Sequence, residues 1–182
     1  MRLLLIAPGY LPYTFSENLC NGKLAYAMYK KGWHVDVLSK VDEGPAYSTE
    51  WTEPWLPLKK NNITITYPVG GKLTRMWDVL RSSVKLGMYP EGGVRWACRA
   101  YELALKLCKE NHYDAVLTRS PSDIPHIIGL RLKEKLGIRW IANWNDPAAP
   151  IWPEPYTHHF SAKEQARKDQ FTQMCLKGAD VN

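Results

Sequence analysis

Tyr113 to Pro150, YDAVLTRSPSDIPHIIGLRLKEKLGIRWIANWNDPAAP, reads as strand, polar turn, helix, strand, polar turn. Ala115-Val116-Leu117 and Trp140-Ile141-Ala142 are short apolar runs, as in strands buried on both faces of a parallel sheet. Between them Ile124, Ile128, Leu132 and Leu136 recur every four residues and line one face of a helix. Asp123 stands at the N-cap position, and Gly137 where the helix must stop. A right-handed crossover makes the two strands parallel. Arg119 and Ser120 then emerge on the same rim as Asn143, Asn145 and Asp146. Open α/β sheets bind their ligands on that rim.

The same alternation runs outward in both directions. Arg2 to Ala7 is predicted as the first strand, Pro8 to Ser16 as a turn, and Glu17 to Lys31 as a helix closed by Gly32. Thr14 and Ser16 are its cap candidates, with Glu17 placed for a capping box from Thr14. His34 to Leu38 and Ile63 to Tyr67 are the second and third strands, separated by a Pro-, Trp- and Glu-rich excursion from Asp42 to Lys60. Helices are predicted from Leu73 to Leu86 and from about Gly93 to Asn111. Pro147, Pro150, Pro153 and Pro155 forbid regular structure between Asn145 and His159. Ser161 to Glu164 is a capping box opening the last helix, which Gly178 closes. Ala179 to Asn182 reads as the first residues of a further strand, so the chain is expected to be the N-terminal part of a longer protein. The fold class is α/β, a doubly wound, mostly parallel Rossmann-like sheet.

The 182 residues suffice for one domain with a substantial core. The initial apolar run is too short for a signal peptide, and no stretch is long enough to span a bilayer. Cys20, Cys98, Cys108 and Cys175 lack CxxC spacing, which argues against a metal site and for buried reduced thiols in a cytoplasmic protein. Asn62-Ile63-Thr64 matches a glycosylation sequon but falls in a strand. A net charge of +6 and a pI near 9.1 favour anionic partners. No nucleic-acid recognition motif accompanies that charge.

Two common nucleotide motifs are absent. Pro8 to Pro12 lacks the GxGxxG fingerprint, and Gly70-Gly71-Lys72 is not a P-loop. Candidate binding residues therefore follow from position. Gly9 lies in the first turn, and Ser16, Glu17 and Asn18 open the first helix, where backbone N–H groups favour anions; simple helix capping is the alternative. Asp146, after the fifth strand, is placed to accept sugar hydroxyls or to make an Asp-Pro turn. Arg119 is placed to pair with a phosphate or carboxylate, or to be a solvated cation. His126 has a capping or core reading beside a catalytic one, and the adjacent His158 and His159 read as loop residues.

From Lys72 to Arg99, six basic residues face Asp78 and Glu91, a net of four positive charges. Leu73, Trp77, Leu80 and Val84 fall at helical spacing there. At roughly 1 kcal/mol per basic residue near an anionic surface, this stretch would attract a membrane. The other reading is an amphipathic helix packed on the sheet with a solvated basic face.

MRLLLIAPGYLP, NGKLAYAMYKKGWHVDVLSK and the segment Tyr113 to Pro147 together resemble the N-terminal domain of GT-B-fold glycosyltransferases of family four. The resemblance covers nearly the whole chain and rests on the order and spacing of individually soft motifs. It implies one half of a GT-B fold and transfer of a sugar from a nucleotide-sugar donor to a polysaccharide or lipid-linked acceptor. Configuration would be retained, with no essential metal or other cofactor. The N-terminal domain would mainly hold the acceptor. The donor-binding domain with its Glu-x7-Glu motif is absent from these residues, so the fragment alone would be inactive. The protein would be cytoplasmic, with a peripheral contact at the inner face of the membrane. Asp146 and Arg119 would be catalytic; Gly9, Ser16, Glu17, Asn18, Ser120 and Asn143 would bind substrate. Two departures stand out: Phe15-Ser16-Glu17-Asn18 where many members have a glycine pair, and Arg119 where many have a histidine. A nucleotide-sugar epimerase of GT-B fold and a stand-alone flavodoxin-like binding module are the competing readings.

Overall fold

A computed structural model describes residues 1–11, 16–40, 62–65, 71–87, 94–119, 124–145 and 160–182. Five strands, β1 (Arg2–Ile6), β2 (His34–Lys40), β3 (Asn62–Ile65), β4 (Ala115–Arg119) and β5 (Trp140–Asn143), form one sheet. Its order is β3-β2-β1-β4-β5, and every pairing is parallel. This is the Rossmann order and not the flavodoxin order 2-1-3-4-5, so the flavodoxin-like alternative fails on topology. Among the described residues five helices accompany the strands: α1 (Ser16–Lys30), α2 (Lys72–Leu86), α3 (Val94–Glu110), α4 (Ile124–Leu136) and α5 (Ala162–Gly178).

Strand alternation divides the interior in two. Leu3, Leu5, Ala7, Val35, Val37, Ala115 and Leu117 face one side, where Ala25 and the apolar residues of α1 cover them. Leu4, Ile6, Leu38, Val116, Trp140 and Ala142 face the other, under α3, α4 and α5. Helices on both faces of a parallel sheet make the fold doubly wound, as the sequence predicts. The helix α4 is buried nearly all round its first two turns, from Ile124 to Leu130, because α3, β4, β5 and α5 all pack on it. Gly129 admits the Trp140 ring: a Cβ there would sit 2.2 Å from Trp140 Nε1.

Glycines close three helices through the left-handed region, Gly32 at φ 80°, Gly87 at φ 70° and Gly137 at φ 67°. Gly178 does not. The α5 C-cap is Ala179 in extended conformation, and Gly178 is small because a Cβ would lie 2.5 Å from Leu130 Cδ1. The Ser161–Glu164 capping box forms as predicted, with Glu164 N donating to Ser161 Oγ at 3.3 Å and Ser161 N to Glu164 Oε2 at 2.9 Å. Of the other predicted caps, Thr14 and Asp123 lie outside the described residues, and Ser16 is the first residue of α1. After α5 the chain turns along the free edge of β5. Asp180 N donates to Trp140 O and Ala142 N to Val181 O, each at 2.9 Å, giving a parallel bridge between Ile141 and Val181.

The helix α2 contradicts its packed-on-the-sheet reading. It lies outside the sandwich against α3 and α4, and its buried residues are Asp78, Ser82 and Leu86. Leu73, Met76, Trp77, Leu80 and Val84 point to solvent. Among the described residues no helix is long and apolar enough to cross a membrane.

Candidate functional site

The strand order reverses between β1 and β4, so the loops leaving these two strands flank a crevice at the carboxyl rim. The β1 loop is held by α1. Asn21 Nδ2 donates to Gly9 O at 2.8 Å, and Asn18 Nδ2 to Tyr10 O at 3.0 Å. The packing leaves no room for larger residues: a Cβ on Gly9 would meet Asn18 Oδ1 at 2.3 Å, and one on Gly22 would meet Leu11 Cδ1 at 2.3 Å. Asn18 and Asn21 are buried, so the first turns of α1 carry polar and small residues inward where a helix ordinarily buries apolar ones. Each amide thereby satisfies a carbonyl of the β1 loop.

The next residue outward, Glu17, faces the end of β4. Arg119 and Thr118 end that strand and point to opposite faces of the sheet. Arg119 turns toward α1, is buried, and lies 3.9 Å from Glu17 Oε1. Asn145, just past β5, bridges them: its Oδ1 accepts from Arg119 Nη2 and its Nδ2 donates to Glu17 Oε1. One rim cluster thus draws on α1, β4 and the β5 loop. Its formal charge is zero, and it alternates donors and acceptors. Arg119 Nε is buried with no hydrogen-bond partner among the described residues. Asn143, registered beside Arg119, is exposed, and Ser16 is exposed at the first position of α1.

Thr118, on the other face, serves a buried network. Its Oγ1 lies 2.9 Å from His126 Nδ1 and accepts from Trp140 Nε1 at 2.8 Å. The Trp144 ring covers the imidazole, with centroids 4.0 Å apart. Burial pushes the His126 pKa down to about 3, so the ring is neutral at neutral pH. The core reading of His126 holds, and Arg119 beside it belongs to the rim.

The structure therefore brings Glu17 and Arg119 together, keeps Ser16 and Asn143 open nearby, and commits Gly9 and Asn18 to shaping the β1 loop. Asp146 and Ser120 lie outside the described residues, as do His158 and His159. Asn21 and Gly22 escape a sequence reading because their role depends on the loop folding back on α1. A pair of asparagines three residues apart after a Pro-Gly turn is the signal that was there to read. Of the four free cysteines, Cys98 and Cys175 are buried as expected, whereas Cys20 is exposed. Burial pushes the Cys108 thiol up to about 11. Among the described residues no group of His, Cys, Asp or Glu is arranged to hold a metal.

No protein-family model and no curated protein matches the chain. Among solved structures, the apo form of UGT2 from Phytolacca americana, a plant UDP-glycosyltransferase, superposes with a TM-score of 0.45 at 12% identity. The alignment takes in 97% of this chain, which spans 43% of the length of that protein.

Proposed function

We propose that the chain is the acceptor-side half of a GT-B-fold glycosyltransferase. It would transfer a sugar from a nucleotide-sugar donor to a polysaccharide or lipid-linked acceptor with retention of configuration. The observation that carries this reading is the Glu17–Asn145–Arg119 cluster at the point where the strand order reverses. A bare phosphate site would present uncompensated cations. This rim instead offers a neutral array of carboxylate, amide and guanidinium, suited to the paired donor and acceptor character of sugar hydroxyls. The resemblance of the sequence segments to family four supports the same assignment.

In the transfer, the bond from the anomeric carbon to the departing diphosphate breaks, and a bond to the acceptor oxygen forms. The acceptor hydroxyl gives its proton to the departing diphosphate oxygen. Glu17 and Asn143 would receive acceptor hydroxyls. Arg119, held in place by Glu17 and Asn145, would offer its free Nε–H to charge developing across the cleft. Asp146 and Ser120 take their roles from sequence position: Asp146 as an acceptor-hydroxyl carboxylate and Ser120 as a further hydroxyl contact. The donor nucleotide would sit in a second domain beyond these residues. The protein would act at the cytoplasmic side of a membrane.

The test is acceptor-dependent release of nucleoside diphosphate by the full-length protein from a panel of nucleotide sugars. The reading requires release that depends on added acceptor and falls at least tenfold in Arg119→Gln. Conversion of the nucleotide sugar to its epimer without acceptor would establish the epimerase instead. Inertness toward the whole panel would remove both.

A further inference from the structure

The helix α2 is amphipathic in the reverse sense for a surface helix. Leu73, Met76, Trp77, Leu80 and Val84 fall at i, i+3, i+4, i+7 and i+11, one continuous stripe, and each is between 52% and 81% exposed. The opposite side carries Asp78 and Ser82, which are buried and engaged in interactions of their own. A rotation about the helix axis would bury the stripe and expose the polar side, yet α2 is fixed the other way. Its C-cap Gly87, at φ 70°, abuts Arg131, whose Nε donates to Leu86 O at 2.8 Å. Lone exposed apolar residues are ordinary, but a contiguous stripe of five marks a contact surface.

Charge identifies the contact. Lys72 and Ser83 border the stripe on one side, and Arg81, Thr74 and Lys85 on the other. Arg81 and Lys85 share one carboxylate, Glu102 of α3. Lys72 and Arg75 are exposed, with no carboxylate partner among the described residues. The single acid of α2, Asp78, is on the buried side. A second copy of the chain is disfavoured, because a two-fold pairing of stripes would set these cations against one another. A bilayer with anionic headgroups matches both elements: apolar side chains enter the acyl boundary while the flanking cations meet phosphate. Trp77, mid-stripe, is of the type enriched at that depth.

We propose that the outer face of α2 is a peripheral membrane-binding surface for anionic lipid, seated by Leu73, Met76, Trp77, Leu80 and Val84 and bordered by Lys72, Arg81 and Lys85. This rests on the helix alone and stands whether or not the protein transfers sugars. A transferase drawing acceptors from a membrane would gain from it.

The experiment is flotation of the protein with vesicles of phosphatidylcholine alone and of phosphatidylcholine mixed with phosphatidylglycerol. The expected result is binding to the mixed vesicles only, weakened by added salt. Leu73→Ser combined with Trp77→Ser and Leu80→Ser should lower partitioning at least tenfold with an unchanged circular dichroism spectrum, since none of the three side chains is buried. Lys72→Gln should lower it about fivefold, the equivalent of roughly 1 kcal/mol per cation. No binding to mixed vesicles, or equal binding by the triple variant, overturns the proposal. So does a dimer in sedimentation that the triple variant abolishes, which would make the stripe a self-interface.

Discussion

The two rims of the sheet each hold an arginine near a carboxylate, and they are built differently. At the amino rim, Asp36 of β2 is buried and receives three donors. Arg2 Nη2 reaches it at 3.1 Å, His34 Nε2 at 3.0 Å and Tyr113 Oη at 2.7 Å. The Arg2 guanidinium also lies over the Tyr113 ring at 5.2 Å, and Arg2 N donates to Asp114 Oδ2 at 2.7 Å. These partners come from the starts of three strands and lock their register. At the carboxyl rim, Glu17 comes from a helix and Asn145 from a loop, and the strands contribute only Arg119. That cluster spans a crevice between elements instead of tying strands together. A saturated carboxylate is a structural joint, and a cluster bridging loops at a switch point is a place for a ligand.

The largest effect is expected where the joint is broken. Asp36→Ala strands Arg2 and Tyr113 and should cost about 2 kcal/mol, less than a fully buried network because Arg2 and His34 are partly exposed. In a chain of this size that lowers Tm by roughly 4 to 8 °C, readable by calorimetry, with transfer activity retained at temperatures where the variant is folded. Loss of activity without loss of stability would reverse the roles of the rims.

The His126 network beneath the carboxyl rim should appear as acid sensitivity. Its folded pKa is about 3, below the unfolded value of 6.5. The unfolded state therefore binds the proton more readily. Stability is full above about pH 6.5 and falls as pH drops toward 3. By pH 5 the loss should be about 2 kcal/mol, seen as a shift in the urea midpoint. His126→Gln should flatten that dependence, and an unchanged pH profile in the variant would place the acid sensitivity elsewhere.

Arg119→Gln sharpens the contrast from the other side. Glu17 keeps its Asn145 amide, so stability should fall by only about 1 kcal/mol, while acceptor-dependent release drops at least tenfold. Equal losses in stability and activity would make Arg119 a second structural joint. The smallest effect is expected at Asp180, whose carboxylate accepts from Lys133 Nζ and Trp140 N at 2.8 Å each. Those two bonds hold its pKa below the usual carboxylate range. Because the residue is solvent-exposed, Asp180→Asn should change stability by less than about 0.5 kcal/mol.

Much of this architecture was legible because its signals are local. Apolar runs such as Ala115-Val116-Leu117 read as doubly buried strands, and Gly32 and Gly137 marked helix ends through a backbone conformation that only glycine adopts readily. The orientation of α2 was not legible. Periodicity says that a helix has an apolar side, but which side meets the protein depends on Asp78, Ser82 and the partners they find. Gly178 misled for a similar reason, since it answers to Leu130 on α4. At the site, position alone brought Glu17 and Arg119 to one rim. Their bridging by Asn145 and the loop tether by Asn18 and Asn21 depend on contacts between distant segments that spacing cannot encode.

The most direct test of the rim assignment is residue-resolved NMR of the protein titrated with nucleotide sugars and short oligosaccharides. Amide shifts are expected at Gly9 to Leu11, Ser16 to Asn21, Arg119 and Asn143 to Asn145, with Arg2, His34, Asp36 and Tyr113 unmoved. Shifts confined to the amino rim, or none at any concentration of the full panel, would contradict it.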